Sequence, residues 1–107
     1  MAVTGELVLD WAHSDQKVVA RLFAPEQVAG RNEWTCRFEI GEPFDYAAGI
    51  HGETSMQALA LALSALSVTL YCSEEYRTGT LGIFGEFGGY LSIPAPQVAL
   101  DEAPYPF

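Results

Sequence analysis

An uncharged segment from Thr54 to Ser73 limits what this chain can fold into more than any other feature of its sequence. Its leucines recur at spacings of four, three and four residues, in a row formed by Leu59, Leu63, Leu66 and Leu70. This spacing is that of one helical face, and Thr54 followed by Gln57 forms a capping-box pattern at its start. We therefore predict a helix over Ser55–Cys72 that is covered on more than one side.

The segment Trp34–Ile40 alternates strictly between apolar and polar residues, which predicts a half-buried β-strand. Its core-facing side chains are predicted to be Trp34, Cys36, Phe38 and Ile40. Strand patterns also cover Glu6–Trp11 and Lys17–Ala24, and the polar residues between them predict a hairpin loop. Phe44–Ile50 alternates more weakly and fits either a short strand or an extended loop.

Glycines recur between Gly79 and Gly89. A phosphate-binding loop would be followed by a lysine and a helix, and neither pattern follows here. Bulges and a turn account for these glycines better, so we predict a strand over Leu81–Phe87 and a candidate last strand over Tyr90–Ile93.

Together these patterns predict an α+β fold. We expect an antiparallel sheet of four to six strands, in the order β-β-β-(β)-α-β, with one long helix packed across one face. Residues 1–93 form the predicted domain, and residues 94–107 a Pro-rich C-terminal tail.

The chain has 107 residues, 14 of them acidic and 5 basic, with a formal net charge of −9. This length suits one domain with its own core. Because the basic residues are scattered, we expect no nucleic-acid partner. Acidic rather than basic residues flank the uncharged helix, which argues against a membrane span. The N-terminus lacks the pattern of an export signal, which predicts a cytoplasmic protein.

Two cysteines and two histidines are the residues that most invite a chemical interpretation. Cys36 and Cys72 are predicted to be buried free thiols. His51-Gly52-Glu53 has the spacing of the H-x-E motif of zinc deaminases, but the second cysteine pair of those enzymes is missing. His13 and His51 fall in predicted loops outside any nucleophile motif. We therefore expect no metal, no cofactor and no enzymatic activity.

The leading functional hypothesis is a non-enzymatic interaction module that forms a homodimer or binds a basic protein partner. The uncharged helix, the acidity of the chain and the lack of a catalytic set motivate it. Its candidate ligand or interface residues are His51, Glu53, Gln57, Ser64, Ser67 and Tyr71. An immunity-type protein would fit, because acidic residues complement a basic toxin.

Two alternatives remain open from the sequence. One is a small-ligand or enzymatic site where the loop of His51 meets Cys36 and the glycine-rich segment 79–90. The other is a nucleic-acid mimic, which requires outward carboxylates to cluster on one face. The carboxylates concerned are Glu39, Glu42, Asp45 and Glu53.

The sequence also resembles a family of small bacterial α+β domains. The resemblance rests on Trp34-x-Cys36-x-Phe38-x-Ile40, on Gly49–Glu53 and on the helix motif Gln57-Ala58-Leu59-x-Leu61-Ala62, and it covers about residues 6–93. That family brings no activity to transfer, so the resemblance implies the fold and leaves the function open. It also implies a structural role for Gln57, which we expect to hydrogen-bond to the preceding loop.

Overall fold

The structure is a computed structural model that describes residues 2–95, and it consists of one antiparallel sheet with a helix across one face. The strands are β1 (Val3–Trp11), β2 (Lys17–Phe23), β3 (Glu26–Gln27), β4 (Trp34–Ile40), β5 (Tyr46–Gly52), β6 (Leu81–Ile83) and β7 (Glu86–Phe87). The helices are α1 (Ser55–Tyr71) and α2 (Glu74–Arg77). The predicted α+β class is confirmed, with seven strands in the sheet rather than four to six.

The order of the strands leaves β5 and β7 at the two outer edges of the sheet within residues 2–95. One edge of β4 pairs with β5 over its whole length, from Trp34 opposite Gly52 to Ile40 opposite Tyr46. The other edge of β4 is shared by β2 and the two-residue β3. Beyond β2 follow β1, β6 and β7, and every pairing is antiparallel.

The first three predicted strand segments form strands, because their side chains have one apolar face to bury. In β4 the side chains of Cys36, Phe38 and Ile40 are at most 2% exposed, as the alternation predicts. The hairpin of β1 and β2 is also confirmed, and it sets Leu9 opposite Val18 in the core. The ambiguous segment before the helix is a strand, β5, that begins at Tyr46.

Helix α1 begins where the capping pattern predicts. The Thr54 hydroxyl accepts a hydrogen bond of 3.0 Å from the Gln57 amide. The Gln57 side-chain oxygen in turn accepts one of 2.6 Å from the Glu53 amide, which confirms the expected bond to the preceding loop. These two bonds satisfy donors that a helix N-terminus otherwise leaves unpaired. The helix ends at Tyr71, and Cys72 is its C-cap.

The small residues of α1 let it lie close to β5. Ala58 and Ala62 are fully buried, together with Leu66 and Leu70. At Gly52 there is no room for a side chain, because a β-carbon there would lie 2.6 Å from the Ala58 backbone nitrogen. The leucine row is thus only half of the buried face, and the alanines that follow Gln57 supply the rest.

The chain after α2 differs from the predicted pattern. Leu81–Phe87 was expected as one strand, but it folds into a hairpin of β6 and β7. Phe84 and Gly85 make its two-residue turn, both with positive φ (53° and 79°), as in a type I′ turn. Tyr90–Ile93 forms no strand; Leu91 is buried in the core, and the backbones of Leu91 and Ile93 hydrogen-bond to the Tyr71 hydroxyl of α1. Of the predicted tail, Pro94 and Ala95 are described and the remainder lies outside the described residues.

Candidate interaction site

The outward face of α1 is exposed and carries no charged side chain. Met56 is 75% exposed, Leu61 45% and Val68 40%. Two of the predicted interface residues, Gln57 and Ser64, lie on this exposed side, as does Ala60. We call this surface the outer α1 face and define it by Met56, Gln57, Ala60, Leu61, Ser64 and Val68. It consists of apolar and uncharged polar side chains only.

The other two predicted helix residues, Ser67 and Tyr71, do not belong to this face, because the segment 91–95 covers them. Ser67 is 3% exposed, and its hydroxyl donates to the Pro94 carbonyl. The Tyr71 hydroxyl donates to the Ile93 carbonyl over 2.8 Å and accepts from the Leu91 amide over 2.8 Å. Burial raises the pKa of Tyr71 above its ordinary value. Both residues therefore anchor the segment that follows the β6–β7 hairpin.

A shallow groove of about 290 Å³ runs between α1 and the end of this segment. Its lining is mostly apolar and comes from Ala60, Leu63, Ser64, Ser67, Pro94 and Ala95. Because Ala60 and Ser64 also belong to the outer α1 face, the groove extends that face toward Pro94.

His51 and Glu53 lie where β5 ends, just before the start of α1. They line an open concavity of about 380 Å³ together with Asn32, Glu33, Gly52 and Gln57. The His51 Nδ1 atom lies 2.9 Å from a Glu33 carboxylate oxygen and 3.3 Å from the Thr35 hydroxyl. His51 is therefore a strand residue held by a carboxylate and a hydroxyl, and the expected position in a loop was wrong.

The alternative site predicted around His51 does not assemble as one pocket. The glycine-rich segment 79–90 lies at the β7 edge, and β4, β2 and β1 separate it from β5. Cys36 lies in the core, where its thiol donates to the Phe23 carbonyl over 3.2 Å, and burial raises its pKa. The buried thiol predicted at Cys36 is confirmed, whereas Cys72 is exposed just past the end of α1.

Sequence reasoning missed the importance of Tyr76, which closes the end of the β6–β7 hairpin. Its hydroxyl lies 2.9 Å from the carbonyl oxygens of both Gly88 and Gly89. Its ring meets that of Tyr71 edge-on, with 5.2 Å between the centroids. Burial, with a further contribution from Tyr71, raises the pKa of Tyr76 to about 12. A tyrosine three residues after a serine N-cap was the only local signal.

Sequence reasoning also missed the open edge of β5. The strand runs Tyr46-Ala47-Ala48-Gly49-Ile50-His51-Gly52, without a carboxylate, lysine, arginine or proline. Its pairing with β4 is unbroken over seven residue pairs. No other strand of residues 2–95 pairs with it. The signal in the sequence was the run between Asp45 and Glu53, which contains no charged residue and no proline. Its apolar and polar residues alternate only weakly, so sequence reasoning did not identify it as an edge strand.

The carboxylates proposed for a nucleic-acid mimic divide between the two ends of β5. Glu39, Glu42 and Asp45 line one concavity of about 390 Å³ with Arg37, near the start of the strand. Glu53 lies in the other concavity, at the end of the strand. The four acids thus form two groups separated by an uncharged strand.

Within residues 2–95, no group of three or more His, Cys, Asp or Glu side chains is placed to hold a metal ion. None of the helices in that range combines the length and the apolar character needed to cross a bilayer.

The fold and these surfaces of residues 2–95 define a small α+β domain with one helix-covered sheet face and one sheet edge that no other described strand pairs with. The chain belongs to the family described as a domain of unknown function, DUF6968, whose model matches residues 4–95. The expected membership of a domain family without an assigned activity is thereby confirmed. Comparison with curated proteins and with solved structures gave no match.

Proposed function

We propose that the chain is a non-enzymatic protein-interaction module that pairs with a second copy of itself through the outer α1 face. The observation that carries this proposal is the exposure of Met56, Leu61 and Val68 on a helix with no charged residue. Apolar side chains exposed together, rather than singly, mark surfaces that bind other proteins. A helix–helix contact would bury them.

The distribution of charge favours this face for self-association. At a net charge of −9, two copies repel each other wherever their acidic surfaces meet. The segment from Thr54 to Ser73 contributes nothing to that charge. Two copies that meet along α1 therefore bring their acidic residues less close together than copies that meet through the charged strands and loops.

The side chains of the face also suit close packing. Ser64 is small and lies between the larger Leu61 and Val68 on neighbouring turns, and the small Ala60 lies one turn before Ser64. Ridges of larger residues can then enter grooves left by the smaller ones, as in packed helix pairs. Fully burying an exposed leucine or valine side chain contributes about 1.5–3 kcal/mol, and Leu61 and Val68, 45% and 40% exposed, have roughly half of that left to gain. Each of these positions is therefore expected to affect dimerisation measurably.

Light scattering after size-exclusion chromatography, over a range of concentrations, tests the proposal. Wild type is expected to shift from monomer to dimer as the concentration rises. Val68→Glu is expected to weaken that dimer by at least about tenfold, because a buried unpaired carboxylate costs several kcal/mol. The matched control is Val8→Glu, since Val8 is 48% exposed on the sheet and away from α1; its dimer is expected to persist.

Two results would contradict the proposal. One is a wild type that stays monomeric at every concentration. The other is a Val68→Glu variant that dimerises as well as the Val8→Glu control, since that would place the interface elsewhere.

A further inference from the structure

We propose that the open edge of β5 binds an extended segment of a partner protein that carries lysine or arginine at its ends. The partner segment would add a strand to the sheet beside β5. This inference concerns a different surface from the outer α1 face and does not rest on self-association.

The hydrogen bonds of β4 show which backbone groups of β5 point outward. The Gly41 amide donates to the Val19 carbonyl, and the two residues are in the register of the β2–β4 pairing. In antiparallel pairs, successive residues direct their N–H and C=O groups to opposite neighbours. Glu39 and Arg37 therefore bond toward β2, and Ile40 and Phe38 bond toward β5.

The same alternation continues on β5. Tyr46, Ala48, Ile50 and Gly52 lie opposite Ile40, Phe38, Cys36 and Trp34, and so they use their backbone groups on β4. The N–H and C=O groups of Ala47, Gly49 and His51 point to the other side. All three residues are exposed. The edge therefore offers three donors and three acceptors at the spacing of a strand.

Natural sheets usually protect such an edge with lysine, proline, a bulge or a very short strand. Strand β5 has none of these, since it spans seven residues in unbroken register. Its central residue, Gly49, is exposed and has no side chain of its own. A β-carbon added at Gly49 would meet only a Thr35 methyl group, at an ordinary 3.5 Å. An approaching strand thus finds free backbone groups and little side-chain obstruction.

The charged residues near the two ends of β5 determine which kind of partner strand fits its open edge. Near the start of β5, Glu39, Glu42 and Asp45 line a concavity that holds one cation, Arg37. A segment with a basic residue at that end gains electrostatic complementarity, and an acidic one is repelled.

The far end of β5 has the same sign. Glu33 and Glu53 line its concavity, and the cation nearest to them is Arg31, 3.7 Å from Glu33. Pairing of β5 with a second copy over its full length would set Asp45 of one chain opposite Glu53 of the other. Such like-charge pairs are destabilising, so a basic segment fits this edge better than a second copy does.

A synthetic peptide in which valine and threonine alternate between lysine pairs tests the proposal. The full chain is titrated with this lysine-flanked peptide, with a glutamate-flanked counterpart and with a lysine-flanked version that is N-methylated at every core residue. Fluorescence anisotropy gives the affinity, and amide NMR shifts locate the binding. We expect binding of the lysine-flanked peptide alone, weaker at high salt, with the largest shifts at Ala47, Gly49 and His51.

Gly49→Pro removes the central outward donor and places a ring on the open side, which edge strands tolerate. It is expected to weaken binding at least about tenfold, because strand addition depends on main-chain hydrogen bonds. Gly49→Ala retains the donor and has room for its methyl group, so it is the matched control and is expected to bind like wild type.

Val68→Glu should also bind the peptide normally, which separates this site from the outer α1 face. If Gly49→Pro fails to fold, the N-methylated peptide decides the question. Equal binding of the N-methylated or the glutamate-flanked peptide would overturn the proposal. A third result would also overturn it: the wild type forms an oligomer, Gly49→Pro dissociates that oligomer, and no peptide binds. The occupant of the edge would then be a second copy.

Discussion

The two edges of the sheet are built in opposite ways. Strand β7 consists of two residues, Glu86 and Phe87, and one of them is charged. A tight turn joins it to β6, and Tyr76 holds the chain directly after it through the Gly88 and Gly89 carbonyls. Strand β5 has seven residues, no charged carboxylate or lysine, and a full complement of outward backbone groups.

This difference shows that the fold protects one edge and leaves the other available. Short length, a charged residue and a turn close to the edge are the usual means of preventing unwanted strand pairing. All of them occur at β7 and none at β5, although β5 pairs with β4 along its other edge and packs against α1 with one of its faces. A β-carbon at Gly52 would lie 2.6 Å from the Ala58 backbone nitrogen, whereas one at Gly49, three residues earlier, would meet only a Thr35 methyl group, at an ordinary 3.5 Å. The open edge belongs to a strand that is already paired with β4, so a partner strand would add to a preformed ladder.

The largest expected effect concerns the glycines of the two edge regions. A β-carbon at Gly82 would lie 2.2 Å from the Glu86 carbonyl oxygen and 2.6 Å from the Phe87 ring. Since backbone has to move, Gly82→Ala is expected to destabilise the fold by about 3 kcal/mol. Gly49→Ala, the equivalent change at the open edge, should stay within about 0.5 kcal/mol of wild type. Urea denaturation with an unchanged m-value measures both.

Gly52→Ala is a second test of the difference between crowded and open glycine positions. Its β-carbon would meet the backbone of α1 rather than a neighbouring strand. It is expected to resemble Gly82→Ala in cost, at about 2–3 kcal/mol. Equal stability of all three alanine variants would show that the β7 hairpin and the β5–α1 contact are looser than the structure has them.

A second prediction tests the hydrogen bonds that close the β7 edge. The pKa of Tyr76 is raised from 10 to about 12, so the folded protein keeps this proton where the unfolded chain loses it. Stability from this residue is therefore complete below pH 10 and is lost as the pH rises toward 12. The loss is expected to reach about 2–3 kcal/mol over that window.

Tyr76→Phe is the control, because it has no proton to lose. It is expected to be less stable at neutral pH by about 1 kcal/mol through its missing hydrogen bonds, and to lose less stability between pH 10 and 12. Urea midpoints for both proteins across this pH range give the comparison. Parallel curves would show that the Tyr76 hydroxyl ionises freely and does not hold the Gly88–Gly89 backbone.

The sequence predicted the features whose causes are local. The start of α1 depends on Thr54 and Gln57, whose bonds span three and four residues, and β4 follows from its own alternation. These signals require no knowledge of distant partners, so they could be read directly.

The features that sequence reasoning missed depend on distant segments. Ser67 and Tyr71 resemble a polar helix stripe, and only the chain more than twenty residues later buries them. Strand β7 has two residues, too few for a periodic pattern. Strand β5 alternates weakly because Ala47 and Gly49 are small, and that same smallness leaves its edge accessible. Four of the six predicted interface residues are thus exposed, on α1 or around the end of β5, and the function they serve stays a prediction.

The smallest expected effect concerns the turn that closes the β7 edge. Phe84 has a φ of 53°, which phenylalanine rarely adopts, and its side chain is 86% exposed, so it loses little packing when replaced. Phe84→Asn creates the Asn-Gly pair favoured in type I′ turns and is expected to stabilise the fold by about 1 kcal/mol. Phe84→Ala removes the ring without easing the positive φ and should leave stability nearly unchanged. Equal gains in the urea midpoint of both variants would show that the exposed ring, rather than the backbone conformation, is the source of strain. The conformation of the turn would then contribute nothing to the stability of the β7 edge.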